Sequence, residues 1–256
     1  MPVQELNVFN LPSQVAAEDL AGSVAIVIDL LRATTTICFA LAAGASEVVP
    51  FREIEEARVA AREAGRRRVL LAGERKGLLI EGFDLGNSPA EFTPDRVEDK
   101  RVFLTTTNGT QALHHARLAR RVIAASLVNL SAVVESVKDE PRMAILCAGT
   151  DGEETLEDIL LAGAIVSRIC EIAGAGGVRL NDAAARAGAE WGRVQSDAKS
   201  ANRDLREQLA IALRETLGGR NCIEVGNGGD LPDCADIDRF RIVPQLDVAN
   251  WRITAK

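Results

Sequence analysis

The chain has 256 residues, 47% hydrophobic and 26% charged, with 21 Gly and 8 Pro, which excludes collagenous, mucin-like and low-complexity classes. A chain of this length buries about 70–75% of its unfolded surface, so its core needs no disulfides, and the length suits one large domain or two modest ones. Its 30 basic against 37 acidic residues give a net charge of −7, with 4% aromatic residues and no Tyr. Neither the basic footprint nor the aromatic platform of a nucleic-acid binder is present.

The five cysteines stand at 38, 147, 170, 222 and 234 with no Cys-x-x-Cys pair, and the two histidines are adjacent, His114 and His115. That is neither a disulfide framework nor a zinc site. The start, Met1-Pro2-Val3-Gln4-Glu5, lacks a basic region followed by an apolar stretch, and no apolar run reaches the roughly 18 residues of a membrane span. The expected compartment is the reducing cytoplasm, and a homodimer would be unsurprising there.

In chain order, strands alternate with helices. The β-branched run 24–28 reads as a buried strand ending at Asp29, followed by a helix over 34–43 that stops at Gly44. Next come a strand over 47–50, a helix over 54–64 and a strand over 69–72. The helix carries Arg58 and Arg62, and Arg66, Arg67 and Arg68 follow it. Interleaved with Glu55, Glu56 and Glu63, they read as a solvated face, with Glu63 and Arg67 at favourable helical spacing.

The segment 73–94 is polar loop chemistry with one short strand at 78–80. A loop that long in a compact domain is functional or disordered, and its interspersed Leu, Ile and Phe argue against disorder. Regularity resumes with strands over 101–104, 122–125 and 143–147, and helices over 111–120, 131–138 and 156–173. Helices over 181–192 and 198–216 follow, then a turn-rich tail over 226–238 and a last strand over 240–244. The pattern predicts an α/β protein, layered α/β/α with a mixed, largely parallel sheet. It forms a single unit over 1–256, with two α/β lobes divided near 140 and the site between them as the variant reading.

Ligands in such folds bind beyond the carboxyl ends of strands. Asp29-Leu30-Leu31-Arg32-Ala33-Thr34-Thr35-Thr36 offers a hard metal ligand and an anion clamp at a helix start, or else a cap with an internal ion pair. Thr105-Thr106-Thr107-Asn108-Gly109-Thr110 has the Asn-Gly and hydroxyl content of an anion nest, without a Walker lysine or a dinucleotide-binding glycine fingerprint. Cys147 ends a strand as a nucleophile or as a small core residue. The position six residues after it, where cysteine phosphatases hold an Arg, is Glu153. Glu157 and Asp158, in a first helical turn, offer magnesium ligands or complement the helix dipole. In the long loop, Arg75 and Lys76 face a polyanionic ligand, Gly73 and Gly77 let the loop close, and Glu74, Asp84, Asn87 and Ser88 add polar groups. His114 and His115 read as solvated or partly buried.

Taken together, these stretches resemble the 2-phosphosulfolactate phosphatase family. The stretches that carry the resemblance are Asp29 to Thr36, Gly73-Glu74-Arg75, Gly82 to Pro89, Thr105 to Thr110, Cys147-Ala148-Gly149-Thr150 and Leu156-Glu157-Asp158. Asn129 and Gly229-Asp230-Leu231-Pro232-Asp233-Cys234-Ala235 add to it, and the likeness runs from about 20 to 245. The resemblance implies a Mg²⁺-dependent phosphomonoesterase that converts 2-phospho-3-sulfolactate to 3-sulfolactate and phosphate, a step toward coenzyme M, or acts on a related phosphorylated hydroxy acid. The corresponding expectation is that Asp29 with Glu157 or Asp158 holds Mg²⁺. Arg32, Thr34 and the segment 105–110 (Thr106, Thr107, Asn108, Gly109, Thr110) hold phosphate. Glu74 is the candidate base, and Arg75, Asn87 and Ser88 position the rest of a small anionic substrate. Cys147 either forms a phospho-enzyme or lines the site. The rival reading is a non-catalytic anion-binding or regulatory protein that has kept the fold.

Overall fold

The computed structural model describes residues 4–65 and 67–255. The leader reading at Met1, Pro2 and Val3, and Arg66 of the arginine-rich face, lie outside these residues. The first half of the chain supplies β1 (Gln4–Phe9), β2 (Val24–Ile28), α1 (Ala33–Ala42), β3 (Glu47–Pro50), α2 (Ile54–Ala64), β4 (Val69–Arg75), β5 (Leu78–Leu79), α3 (Pro94–Val97), β6 (Arg101–Thr105), α4 (Gly109–His115) and β7 (Arg121–Ala125). The second half supplies α5 (Leu130–Val137), β8 (Arg142–Cys147), α6 (Leu156–Ala173), β9 (Val178–Leu180), α7 (Asp182–Ser200), α8 (Leu205–Glu215), α9 (Leu217–Glu224), α10 (Leu231–Cys234), β10 (Pro244–Asp247) and β11 (Arg252–Ala255). None of the described helices is long and apolar enough to cross a membrane.

Most sequence-predicted elements are present, and the departures have local causes. The helix expected over 181–192 continues to Ser200, and Asn202 at φ 49° turns the chain before Asp204 caps α8. The expected break near 192–198 is therefore one turn of helix, and the real break lies at 201–204. The helix expected over 198–216 is two, because the Thr216 side chain accepts from the Gly219 N–H and starts α9. The strand expected over 240–244 begins at Pro244 as β10, and the Phe240 ring instead packs edge-on against Phe39 at 5.0 Å. β1, β9 and β11 were not anticipated.

All eleven strands form one sheet in the order β5-β4-β6-β3-β11-β10-β7-β2-β8-β1-β9. Two parallel blocks, β4-β6-β3 and β7-β2-β8-β1-β9, are joined by the antiparallel β10–β11 hairpin. β10 runs antiparallel to β7, and β11 antiparallel to β3. The three reversals across β7, β10, β11 and β3 leave the blocks running in opposite senses. β8, which follows residue 140, pairs between β1 and β2, so the chain passes that point inside one sheet.

Side-chain alternation divides the core. Val24, Ile26 and Ile28 pack toward α5, α6 and α7, whereas Ala25 and Val27 face α1 and α4. A further cluster lies between α2, β4 and β6. α1 touches β3, β7, β10, β11 and α4, and its residues Ala33 to Leu41 are all buried. A helix buried on every side is a core helix, and the sheet turns around this one through β3, β11, β10 and β7. That turn brings the carboxyl ends of β2 and β6 together despite their opposed blocks. An ideal Cβ on Gly109 would lie 2.6 Å from Asp29 Oδ2 and 2.5 Å from Ala33 Cβ, so only glycine fits where α4 begins.

Candidate active site

A cavity of about 460 Å³ opens at the amino end of α1, walled by the segments 29–32, 74–77, 87, 107–108, 150–151 and 218–225. Five of the six follow or end strands in the regions singled out by sequence. The sixth, α9, was missed.

The three threonines at the α1 start each bind a different partner. Thr34 Oγ1 donates to the Asp29 carbonyl at 2.9 Å and accepts from the Asp29 N–H. Thr35 Oγ1 donates to the Leu30 carbonyl and stands 2.7 Å from Ser126 Oγ. Thr36 Oγ1 donates to the Asn87 carbonyl. All three hydroxyls are engaged, and Thr34 closes the Asp29 turn from inside α1 without lining the cavity. Asp29 Oδ1 accepts from the Ala33 N–H at 3.2 Å, leaving Oδ2 as its free oxygen.

Asp158 reaches back from α6. Its two oxygens accept from the Leu30 and Gly149 N–H groups, which clamps the β2 and β8 loops together. Glu157 Oε1 accepts from the Gly218 N–H at 3.0 Å, and an ideal Cβ on Gly218 would sit 2.1 Å from that oxygen. Glu157 Oε2 is buried with no hydrogen-bond partner. Burial, joined by the Glu74 and Glu157 charges, pushes the Asp29 carboxyl up to about 7 against the lowering effects of the Ala33 N–H and Arg32. Burial also raises Glu157, and burial with the Asp29 and Glu157 charges holds Asp158 well above the carboxylate range. Among the described residues, no group of three or more His, Cys, Asp or Glu is placed to hold a metal ion by itself.

Glu74 lines the cavity at the end of β4. Its Oε1 accepts from the Thr107 N–H at 2.7 Å, and Oε2 accepts from the Gly77 N–H at 2.7 Å and from Thr107 Oγ1. Thr107 and Asn108 face the cavity, and Asn108 Oδ1 accepts from the Asp151 N–H. Thr106 and Thr110 cap one another behind them: Thr106 Oγ1 accepts from Thr110 N–H, and Thr110 Oγ1 donates to the Thr106 carbonyl. The structure thus divides the segment 105–110 into a cavity-facing pair and a closed support.

Arg32 is 4% exposed and follows a cis Leu31–Arg32 peptide. Its Nη1 donates to Asp230 Oδ2 at 2.7 Å and its Nη2 to the Gly77 carbonyl. Asn227, with its amide oxygen turned toward the guanidinium, accepts from Nη1 and Nη2 at 2.9 and 3.3 Å. Ser88 Oγ donates to Asp230 Oδ1 at 2.6 Å. Ser88 therefore supports Arg32 through Asp230 instead of lining the cavity. Asn87 does line it, with a buried Oδ1 that has no partner.

Arg75 turns away, donating to the Glu74 and Arg52 carbonyls and to Thr105 Oγ1. Lys76, beside it, is the cation that faces the cavity. Cys147 packs in the core opposite Ile28, and burial with the Asp158 charge holds its thiol well above the usual range. Asn129 is structural, accepting from the Ser126 N–H and donating to the Ile242 carbonyl. His115 bonds the Val15 carbonyl and His114 packs edge-on against Trp251. Asp230 and Asn227 are the site residues that sequence reasoning left unassigned; their signal was the turn-rich tail. A smaller cavity of about 260 Å³ beside β1 and β8 has its cation, Arg142, bound to the Asp19 and Ala21 carbonyls.

The whole constellation draws on residues from 29 to 230, and the comparisons cover that same span. The family model for 2-phosphosulpholactate phosphatase matches residues 9–248. A "probable 2-phosphosulfolactate phosphatase" of Synechococcus sp. (strain CC9605) is 39% identical over 243 residues, 94% of this chain and 95% of that protein. The one from Symbiobacterium thermophilum is 44% identical over 230 residues, 89% and 93% of the two chains. The one from Thermotoga maritima is 40% identical over 222 residues, 87% and 88%. With site segments from both ends of the chain inside a match of this extent, the protein belongs to the 2-phosphosulfolactate phosphatase family.

Proposed function

We propose that the protein is a Mg²⁺-dependent phosphomonoesterase hydrolysing 2-phospho-3-sulfolactate, or a related small phosphorylated hydroxy acid, to the hydroxy acid and phosphate. The observation that carries this reading is one cavity in which a buried guanidinium, Arg32, meets the buried carboxyls of Asp29 and Glu74. The names of the relatives supply the substrate class.

The residues fit magnesium. Mg²⁺ takes one or two carboxylates, keeps several waters and completes its shell with substrate phosphate oxygens, so it needs no protein-only cage. Asp29 and Glu157 would hold it, because Asp29 Oδ2 is free and Glu157 Oε2 lacks a partner. Asp158, with both oxygens on backbone N–H groups, positions the Asp29 turn. When bound, the ion would offset charge on the phosphoryl oxygens.

The remaining steps belong to the chain. Arg32, oriented by Asp230, Asn227 and the Gly77 carbonyl, meets the phosphate with its charge and its remaining Nε–H, and the Asn87 amide and the Thr107 and Asn108 loop complete the cradle. Glu74, fixed by Thr107 and Gly77, accepts a proton from the attacking water. The water oxygen bonds to phosphorus as the ester bond breaks, and the departing hydroxyl oxygen takes a proton from solvent. Cys147, protonated and outside the cavity, takes no part, which favours water attack over a phospho-cysteine. Cys147→Ser should keep turnover within about threefold of wild type by steady-state phosphate release; abolished turnover would restore the covalent route.

The deciding experiment measures phosphate release from 2-phosphosulfolactate, 2-phospholactate and phosphoglycolate with Mg²⁺ and with EDTA. Mg²⁺-dependent release favouring the sulfonate is expected. Release favouring another acid would keep the phosphatase and change its substrate. No release from folded protein that still binds phosphate would favour an anion-binding protein.

A further inference from the structure

The proposed substrate carries acid groups besides its phosphate, and the cavity is poor in cations to meet them. Arg32 and Lys76 are the cations that line it, against the carboxylates of Asp29, Glu74, Asp151 and Glu224. Arg32 is already paired with Asp230, whereas Lys76 makes no ion pair among the described residues.

Lys76 is also held in an unusual place. The strands β4 and β5 pair Arg75 with Leu78, leaving Lys76 and Gly77 as a two-residue turn with φ 52° and 76°. A turn with both residues at positive φ favours Asn, Asp or Gly at its first position, and a long side chain there is unfavourable. The turn is nevertheless fixed over the cavity. The Gly77 N–H donates to Glu74 Oε2, its carbonyl accepts from Arg32 Nη2, and Val225 packs against its Cα. The local conformation does not favour a lysine, yet the hairpin presents one to the mouth of an anion cavity.

The geometry points to Lys76 as a specificity-determining residue, binding a second acidic group, carboxylate or sulfonate, of the phosphorylated substrate. This rests on the phosphatase reading above. Glu224 and Asp151, on the same walls, repel an acid group that does not reach the lysine.

The test compares wild type, Lys76→Gln and Lys76→Arg on three esters: 2-phospholactate, 2-phosphooxyethanesulfonate and phenyl phosphate, which has no second acid. Lys76→Gln should lower the kcat/KM ratio of an acid-bearing ester over phenyl phosphate by about tenfold, mainly through KM, and Lys76→Arg should restore most of it. The ester whose ratio falls more identifies carboxylate or sulfonate as the partner. Unchanged ratios for both acid-bearing esters would overturn the assignment. If wild type hydrolyses none of the three, release from 2-phosphosulfolactate decides the phosphatase reading, and calorimetric binding of 3-sulfolactate decides the lysine separately. Binding weakened in Lys76→Gln sustains its role, while equal or absent binding overturns it.

Discussion

Asp29 concentrates the tension of the site in one carboxyl group. Its folded-state pKa of about 7 stands above the ordinary 3.8, so the folded protein binds the extra proton between those values. Stability therefore falls as pH rises from about 4 to 7, where the native carboxyl must ionise in a buried, acidic surrounding. Asp29→Asn should flatten that slope and raise Tm at pH 8 by about 5 °C or more while abolishing phosphate release. Calorimetric scans across pH check the first, and an unchanged Tm at pH 8 would refute it. Magnesium should have the same sign of effect on the wild type, raising Tm at pH 8 more than at pH 5. Asp230→Asn tests a different residue. It leaves the Arg32 guanidinium buried with its charge partner gone, and kcat/KM should fall at least about tenfold with a lower Tm. Ser88→Ala, removing only the outer hydrogen bond, should cost much less.

Among the elements, α9 carries a strict requirement at its first turn. Gly218 gives its N–H to Glu157, and a methyl group there would overlap the carboxylate oxygen. Gly218→Ala should lower Tm by several degrees and reduce turnover by displacing Glu157; a variant with both unchanged would remove Glu157 from the site. α9 also shows where the sequence stops being legible. Buried strands such as 24–28 and 143–147 announce themselves as apolar runs, the first rich in β-branched residues, and the loops after such strands contain most of the cavity wall. The Thr216 cap of α9 lies inside a helical pattern that continues on both sides of it, so the boundary is set by one side-chain hydrogen bond. β1 and β11 alternate or mix polar residues and gain their strand character from partners far along the chain. At the site, the residue types were legible but their directions were not. Arg75 and Lys76 are neighbours of the same charge, and only the turn between β4 and β5 decides which one faces the cavity. Thr34 and Thr107 are equally polar, yet one closes the Asp29 turn within α1 and the other faces the cavity.

For the whole molecule, the decisive feature is the β10–β11 hairpin, which holds the two opposed parallel blocks in one sheet. Deleting residues 244–255 exposes the edges of β7 and β3 and uncovers α1, so the truncated chain should lose cooperative thermal unfolding and aggregate. A truncated protein that melts cooperatively near the wild-type Tm would refute this. The same feature bears on synthesis. Among the described strands, β10 and β11 come last in chain order, so both flanking blocks leave the ribosome before the hairpin that joins them. Each block waits with an open edge, and the sheet closes only when that hairpin emerges. In the cell, the interval between the emergence of β9 and that of β11 is therefore the period of greatest exposure to mispairing and chaperone capture, and slow translation of the stretch between them lengthens it.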